Sequence, residues 1–548
     1  MTGTRGPRPI ADVARDLGLA PEELVPAGAG VMRIPVALVR SVADRPRRGR
    51  VVLVSAMTPT EHGEGKTVVA IGLAMALERK GVRSVACLRQ PSLGPVFGSK
   101  GGASGGGRAT VEPRPGIDLG LTGDLDAITN AQNLLVSLVD DHLYRHRRPV
   151  IVPDSADVPR ASALEDRSLR RIRTVESPFP DSPSRSASYV ISAASETAAI
   201  HALARDHADL RARIARVQVG RTPDGAPVRA EEIGAAGGSS VLLAAALAPN
   251  LVQTAEGTAA LVHGIPYANV AHGTCSRLAI EAARGLADVA VVEAGFATEL
   301  GAEKYADLVA PAAGLEADAG VVVATLRALR YHGGGDPSTG PAPDAVSRGL
   351  PNLAQHLENF RRLGLAPIVA LNRFPNDAPE EVRRVMAFCA DERVPCVSVT
   401  AFADGGAGAE ELAERVVEFA GRGERTRPLY GPSTSAEAAL EVIATQCYGA
   451  AGVDLSPRAV ADLDRIRELG EGTGPVCVAK TSRSLSDDPQ LRGRPSGFRV
   501  QVQRLERWSG AGFTVALLRG VITLPGLPER PSAAAIDLAP DGRVIGLP

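Results

Sequence analysis

The fold is decided by residues 51–78, which read VVLVSAMTPTEHGEGKTVVAIGLAMALE. The β-branched run Val51–Ser55 predicts a buried strand, and residues 68–78 have apolar side chains at helical spacing. Between them lies a glycine-containing loop that ends in Lys66-Thr67. A strand, a glycine-rich loop, a Lys-Thr pair and a helix are together the parts of a phosphate-binding loop.

This loop predicts a nucleotide site. Glycines let backbone N–H groups approach phosphates, the helix N-terminus favours their charge, and a Lys-Thr pair reaches the terminal phosphate and a Mg²⁺ ion. The usual spacing has glycine at position 60, where this chain has threonine, and an ordinary glycine-rich turn is the alternative interpretation. The predicted nucleotide-binding residues are Thr60, Glu61, His62, Gly63, Glu64, Gly65, Lys66 and Thr67, with Thr67 also a metal ligand.

Similar apolar runs recur along the chain and predict a parallel sheet. Each run is followed by a helical or glycine-rich segment, and each is nearly continuous in apolar residues, as strands buried on both faces require. Active sites in such sheets lie beyond the carboxyl ends of the strands. The further predicted strands are Val289–Glu293, Val321–Thr325, Pro367–Asn372 and Cys396–Thr400.

The predicted fold class is α/β: a parallel-sheet P-loop nucleotide-binding core with additional α/β and loop-rich C-terminal domains. At roughly 100–200 residues per domain, 548 residues allow three or four domains. We expect the nucleotide-binding core in residues 1–150 and the rest of the core with a substrate-side segment in 151–375. Residues 376–548 are expected to complete the acceptor cleft, and glycine and proline are dense in their second half.

Composition limits the possible partners. A net charge of −1 supplies no general attraction for a polyanion, so neither nucleic acid nor an anionic membrane is an expected partner. The longest apolar stretch, at 241–248, is too short to span a bilayer. The six cysteines have no C-x-x-C pair and no zinc-ligand spacing, which favours free thiols and a cytoplasmic location.

A second glycine-rich loop, at residues 94–107, contains Lys100, and Arg89 precedes it at the end of a predicted strand. Only five of the 61 Lys and Arg residues are lysine, so a lysine inside such a loop is a candidate for a specific role. Lysine is a compact point charge that a flat guanidinium does not replace in a tight phosphate cradle. A flexible linker would explain the glycines but neither Lys100 nor Arg89.

These motifs and several later ones resemble the formate–tetrahydrofolate ligase family, also called 10-formyltetrahydrofolate synthetase. The matches follow the family order along nearly the whole chain, so the set is more specific than any one motif. Besides 58–67, 87–95 and 100–107, they are LTGD (121–124), PNLVQT (249–254), ANVAHG (268–273), EAGF (293–296), VATLRAL (323–329), SLSDDP (484–489), GAGF (510–513) and LPGLP (524–528).

The resemblance implies a ligase that joins formate to tetrahydrofolate at the expense of ATP, by way of formyl phosphate. It also implies Mg²⁺, a possible monovalent cation (K⁺ or NH₄⁺) and a homotetramer. Lys66 and Arg89 are the expected catalytic residues, and Arg89 would hold formyl phosphate. Arg89, Lys100, Phe296, Phe374 and Phe402 are the expected substrate-binding residues, with the three phenylalanine rings converging on one flat cleft.

Departures from the family pattern concern the acceptor side. This chain has Arg108, Gly120 and Asp126 where the family has Tyr, His and His, and Phe402 where it has Trp. Two alternatives therefore stay open. One is a divergent paralogue that forms formyl phosphate or another acyl phosphate for a different amine, and the other is a nucleotide-binding homologue without catalysis.

Overall fold

The computed structural model describes residues 6–45, 49–98, 104–174, 184–265, 267, 269–336, 340–468, 470 and 472–547. Its strands are β1 (Val25–Gly28), β2 (Val31–Arg33), β3 (Arg50–Ala56), β4 (Ser84–Leu88), β5 (Gly105–Gly106), β6 (Ala109–Glu112), β7 (Arg160–Ser162), β8 (Ile172–Arg173), β9 (Ser186–Ala187), β10 (Tyr189–Ile191), β11 (Gln218–Arg221), β12 (Pro227–Arg229), β13 (Asn250–Thr254), β14 (Ala259–Val262), β15 (Val289–Glu293), β16 (Ala319–Ala324), β17 (Pro367–Asn372), β18 (Cys396–Val399), β19 (Gly452–Leu455), β20 (Val476–Ala479), β21 (Arg499–Trp508), β22 (Phe513–Leu518), β23 (Asp537–Leu538) and β24 (Val544–Ile545).

The α-helices lie mostly between these strands. They are α1 (Ile10–Asp16), α2 (Val36–Ala43), α3 (Lys66–Arg79), α4 (Leu93–Phe97), α5 (Arg114–Asp118), α6 (Asp124–Tyr144), α7 (Glu196–Leu203), α8 (His207–Arg216), α9 (Ala235–Ala244), α10 (Arg277–Leu286), α11 (Ala310–Ala313), α12 (Leu326–His332), α13 (Pro343–Arg362), α14 (Pro379–Asp391), α15 (Ala401–Asp404), α16 (Glu410–Ala420), α17 (Ala436–Ile443) and α18 (Pro457–Glu468). Among the described residues, no helix combines the length and the apolar character needed to cross a bilayer.

A 12-stranded sheet forms the centre of the molecule, with the order β1-β2-β13-β14-β4-β15-β3-β16-β17-β18 and with β6 and β5 beside β13. The strands from β14 to β18 in this order run parallel to one another. Apart from Arg50 and the edge strand β18, their side chains are buried on both faces, which explains why the sequence runs are continuously apolar. The α/β fold class and the predicted strands are confirmed, with ends that differ by one or two residues.

One expectation about the later part of the chain needs revision. Strand β18 pairs with β17, so the expected boundary between residues 375 and 376 falls inside the central sheet. The C-terminal part agrees with the expected α/β and loop-rich character, because β19, β21, β22 and β20 form a four-stranded sheet packed with α17 and α18, and the segments 480–498 and 519–531 have neither helix nor strand. Glycine and proline content indicates where the backbone is irregular, but it does not tell which distant strands pair with one another.

A buried ion pair joins this C-terminal sheet to the core. Lys480 follows β20 and is fully buried, and its Nζ lies 3.2 Å from Oε1 of Glu299, which is also fully buried. The same Nζ donates to the carbonyl of Thr481 at 3.0 Å and to that of Ser484. Burial lowers the pKa of Lys480, and the Glu299 carboxylate opposes this shift. Each of the two buried charges thus has its counterion within hydrogen-bonding distance.

Replacing Lys480 by methionine is expected to lower the free energy of unfolding by about 3–5 kcal/mol, because Glu299 is left as a buried charge without its partner. The double variant Lys480→Met/Glu299→Gln removes both charges and should recover part of that loss. Calorimetric unfolding of the full chain measures both effects. A double variant that is less stable than Lys480→Met would contradict this account of the pair.

Candidate active site

The residues singled out in the sequence collect at one edge of the central sheet. Because β14 to β18 are parallel, the segments that follow them all emerge at the carboxyl ends of the strands. Arg89 follows β4, Phe296 follows β15, the loop 57–65 follows β3, Arg327 follows β16, Phe374 follows β17 and Phe402 follows β18. Strand β3 lies between β15 and β16, so the loop stands in the middle of this row.

The loop 57–65 has the backbone that phosphate binding requires. Gly63 and Gly65 have φ angles of +72° and +75°, a region that L side chains rarely adopt. Gly65 is the N-cap of α3, and no side chain caps that helix end. The first N–H groups of the helix are therefore available to an anion, and Lys66 stands beside them as the first helical residue.

The buried Glu64 side chain stabilises the conformation of the loop 57–65. Its carboxylate is buried and accepts hydrogen bonds from the backbone N–H of Thr60 at 2.6 Å and from the Thr60 hydroxyl at 2.8 Å. The other carboxylate oxygen accepts from the Thr325 hydroxyl and lies 3.8 Å from the Arg327 guanidinium. Asn372 donates to the backbone carbonyl of Glu64 at 3.1 Å. Strands β16 and β17 thus fix the loop through residues at their ends.

Sequence reasoning grouped Glu64 and Thr60 with residues that contact the nucleotide, but the structure turns both side chains toward the protein. Glu61 and His62, in contrast, are exposed at the tip of the loop, where Glu61 forms an ion pair with Arg483 at 2.7 Å. A carboxylate that faced the phosphates would repel them, so the inward position of Glu64 is consistent with an anion site.

Sequence reasoning did not find the side chains that hold the start of the loop. The backbone N–H of Thr58 donates to Nε2 of His356 at 2.8 Å, and Nε2 of His332 donates to the Thr58 carbonyl at 2.9 Å. Asn352 donates to the Thr58 hydroxyl at 3.0 Å and to the Gly493 carbonyl at 2.8 Å. The N–H of Gly493 in turn donates to Nδ1 of His332 at 3.2 Å.

These contacts require neutral histidines. Every ring nitrogen already takes part in a hydrogen bond, and an added proton would face a donor: the N–H of Gly493 at His332 and the N–H of Thr58 at His356. Burial lowers the pKa of both His332 and His356 to about 4, in agreement with this arrangement. No sequence signal marks these residues, because they come from two helices and act on a strand end about 300 positions away.

Glu293, the last residue of β15, connects the loop to Arg89. Its Oε2 accepts a hydrogen bond from the Thr67 hydroxyl at 2.7 Å, and its Oε1 lies 3.5 Å from the Arg89 guanidinium. Strand β15 lies between β4 and β3, so its terminal side chain reaches the residues that follow both neighbours. The sequence analysis did not assign Glu293 to the site; the signal was its place at the end of a predicted strand.

Phe296 is held in an unusual backbone conformation beside this pair. Its φ angle is +57°, a left-handed value that is uncommon for a residue other than glycine and concentrated at functional sites. The Phe296 ring contacts the Tyr267 ring edge-on, with 6.0 Å between centroids and 73° between planes. Phe296 and Tyr267 therefore form an aromatic pair on the β15 side of the loop.

The other two phenylalanines lie on the opposite side of the loop. The Arg327 guanidinium stands over the Phe374 ring at 5.0 Å, and Phe402 is 55% exposed against Gly106 and Gly107. Strands β17 and β18 are three and four positions from β15, which corresponds to about 14 and 19 Å. The strand order thus separates Phe296 from the other two phenylalanines at the level of the backbone, with the loop 57–65 between them, and the convergence of Phe296, Phe374 and Phe402 on one flat cleft stays a prediction.

Lys100, the remaining predicted substrate-binding residue, lies outside the described residues. The glycines that follow it are described from residue 104 onward. Gly107 lets the chain pass close to the carbonyl of Phe402, since a Cβ at Gly107 would lie 2.0 Å from that oxygen, and Arg108 donates its N–H to the same carbonyl at 2.8 Å. The second glycine-rich loop therefore reaches the Phe402 end of the site.

Gly65 and Gly63 offer a matched test of the loop geometry. Both have a positive φ, but a Cβ at Gly65 would lie 2.4 Å from Nδ2 of Asn372, whereas nothing lies within 4 Å of a Cβ at Gly63. Gly63→Ala is expected to cost about 1–2 kcal/mol for the backbone alone. Gly65→Ala should lower the unfolding temperature more, as measured by calorimetry without nucleotide. Adding Asn372→Ala should relieve only the Gly65→Ala variant, and equal relief of both variants would contradict the geometry.

Comparison with known proteins gives this site a context. The sequence profile of the family described as formate–tetrahydrofolate ligase matches residues 2–548. A formate–tetrahydrofolate ligase of Thermus thermophilus is 47% identical over 540 residues, with 98% of each chain covered. Proteins of the same name from a Nocardioides species and from Caldicellulosiruptor saccharolyticus are 44% and 40% identical, with at least 97% of each chain covered. The chain belongs to the formate–tetrahydrofolate ligase family.

Proposed function

We propose that this protein is an ATP-dependent ligase that joins formate to tetrahydrofolate and gives 10-formyltetrahydrofolate, ADP and phosphate. The observation that supports the proposal is the pair of Glu293 contacts, which link the glycine-containing loop after β3 to an arginine suited to a carboxylate after β4 through the end of β15, the strand between them. Similarity over the full length to proteins named for this activity favours it over an acyl transfer to another amine and over a non-catalytic role.

The loop 57–65 suits the first half-reaction, in which a phosphoryl group passes from ATP to formate. A formate oxygen attacks the terminal phosphorus of ATP, the bond from that phosphorus to the bridging oxygen breaks, and ADP leaves with the electron pair. Catalysis of such a transfer depends mostly on positioning and on cations around the phosphoryl group. Lys66 and the N–H groups at the start of α3 supply positive charge there, and Arg89 holds the formate carboxylate and then the phosphate of formyl phosphate.

The second half-reaction uses the Arg89 side of the site. The N10 amine of tetrahydrofolate attacks the formyl carbon, the proton leaves the nitrogen, and inorganic phosphate departs. We assign the pterin ring to Phe296 and Tyr267, which contact each other after β15, the strand next to β4 and Arg89. Phe374 and Phe402 are assigned to substrate contact on the other side of the loop, and Lys100 to the phosphate groups.

The residues present fit a Mg²⁺ ion bound together with ATP. The Thr67 hydroxyl donates its proton to Glu293, so its oxygen is left as a ligand. The described residues hold no group of three or more His, Cys, Asp or Glu side chains that could bind a metal, so the ion would rely on phosphate oxygens, as Mg²⁺ commonly does. When bound, Mg²⁺ neutralises charge on the transferring phosphate.

Three further proposals rest on the family resemblance. They are activation by a monovalent cation, K⁺ or NH₄⁺, for which we assign no residues, assembly into a homotetramer and a cytoplasmic location. The location has additional support from the cysteines, which are all unpaired and, apart from the partly exposed Cys396, buried.

Product analysis tests the activity directly. With ATP, Mg²⁺, ¹³C-formate and tetrahydrofolate, mass spectrometry should show labelled 10-formyltetrahydrofolate and one ADP per product. Lys66→Ala should reduce the rate at least 10²-fold with an unchanged unfolding temperature, because it removes charge from a half-exposed residue at the start of α3 and no core packing. ADP release that does not depend on formate, or a Lys66→Ala rate near that of the wild type, would contradict the proposal.

A further inference from the structure

Two cysteines lie in contact between α14 and the edge strand β18. Cys389 is in the last turn of α14 and is fully buried, whereas Cys396 is the first residue of β18 and is partly exposed. Their thiols lie within hydrogen-bonding distance of each other. A tight turn brings them together, because the N–H of Val394 donates to the Cys389 carbonyl at 2.8 Å and Arg393 has a φ angle of +56°.

Solvent has access to this pair from the Cys396 side. A cavity of about 290 Å³ opens between α14, β18 and α16, and its lining includes Cys396 but not Cys389. Arg415 and Glu411 of α16 are the charged side chains of the lining, and apolar groups such as Met386 form much of the rest. A small uncharged oxidant such as hydrogen peroxide therefore reaches one of the two sulfur atoms.

A second cysteine pair shows what contact without access looks like. The thiols of Cys87 and Cys275 also lie within hydrogen-bonding distance of each other, but both residues are fully buried. Oxidation of a thiol requires that the oxidant reach the sulfur, and a second thiol beside it then converts the product into a disulfide. Of the two pairs, the one at the edge of the sheet meets both conditions.

We propose that Cys396 and Cys389 form a peroxide-oxidisable pair, in which Cys396 reacts first and Cys389 resolves the product as a disulfide. The Cys396 sulfur attacks one peroxide oxygen, the O–O bond breaks, and the thiol proton leaves with the other oxygen as water. The Cys389 sulfur then attacks the sulfenic sulfur, the S–O bond breaks, and the Cys389 proton leaves with the hydroxide as a second water. Two thiols are oxidised and one peroxide is reduced.

The surroundings favour the second step. Among the described strands, β18 pairs with β17 alone, where Cys396 lies opposite Val369, so one ladder restrains the start of β18 as the sulfur atoms approach. The contact with Cys396 and burial raise the pKa of Cys389, so this thiol carries the proton that the departing hydroxide takes up. Capture as a disulfide also keeps Cys396 from the irreversible sulfinic acid.

The inference is independent of the proposed function. Both thiols lie at the amino end of β18, whereas the residues of the candidate active site follow the carboxyl ends of the strands. Oxidation of the pair therefore consumes none of the side chains assigned to ATP, formate or tetrahydrofolate.

Peptide mapping of the full chain tests the inference. The folded protein is treated with hydrogen peroxide and then unfolded in N-ethylmaleimide, and mass spectrometry locates the labelled thiols. We expect four labelled cysteines instead of six, because two thiols are consumed, and dithiothreitol should restore all six. Trypsin cleaves after Arg393, so Cys389 and Cys396 should appear on two peptides joined by a disulfide. Cys87 and Cys275 are the matched control and should stay labelled.

Two variants test the order of the steps. Cys389→Ser should leave Cys396 as a sulfenic acid, which dimedone traps. Cys396→Ser changes a partly exposed side chain and keeps the core, and it should leave Cys389 labelled after peroxide treatment. Oxidation of Cys389 in that variant would overturn the proposed order.

The wild type alone also decides the proposal. Six labelled thiols after peroxide treatment would overturn it, as would a sulfenic or sulfinic acid at Cys396 without the joined peptides. Oxidation of Cys87 and Cys275 to the same extent would overturn it as well, because access would then not distinguish the two pairs.

Discussion

The site depends on one carboxylate, Glu293, that touches both halves of the proposed reaction. Through Thr67 it contacts the phosphate loop, and through Arg89 it contacts the group proposed to hold formate. It can do so because β15 lies between β4 and β3 in a parallel sheet, with about 5 Å between neighbouring strands. The distance between Thr67 and Arg89, the residues proposed to bind the phosphoryl donor and its acceptor, is therefore set by the sheet rather than by a flexible loop, which suits catalysis by positioning.

Side chains from later helices hold the start of the loop 57–65. His332, Asn352 and His356 bind all three polar atoms of Thr58, and Gly493 in turn binds two of these side chains. The Lys480–Glu299 pair joins the same regions nearby. Through Gly493 and Lys480, the C-terminal part of the chain thus supports the proposed ATP site, although its strands β19 to β22 form a separate sheet.

Much of the fold and part of the site could be predicted from sequence. Continuous β-branched runs identify strands buried on both faces, and the glycine spacing before Lys66 identifies the phosphate loop, because both are local patterns. Sequence order does not give strand order, however. Phe296, Phe374 and Phe402 all follow strands, as expected, but β3 and its loop lie between the first and the other two. The Thr58 contacts and the inward position of Glu64 depend on residues far apart in the chain, which no local pattern records.

The central claim is that Glu293 couples Arg89 to the phosphate loop, and a double-mutant cycle tests it most directly. Glu293→Gln keeps a hydrogen-bond acceptor for Thr67 but removes the charge that faces Arg89. With Arg89→Gln as the second change, kcat/KM for formate is measured at saturating ATP. Coupling through the carboxylate predicts that the double variant departs from additivity by about 1 kcal/mol or more, roughly fivefold. Additive effects, with Glu293→Gln close to the wild type, would contradict the claim.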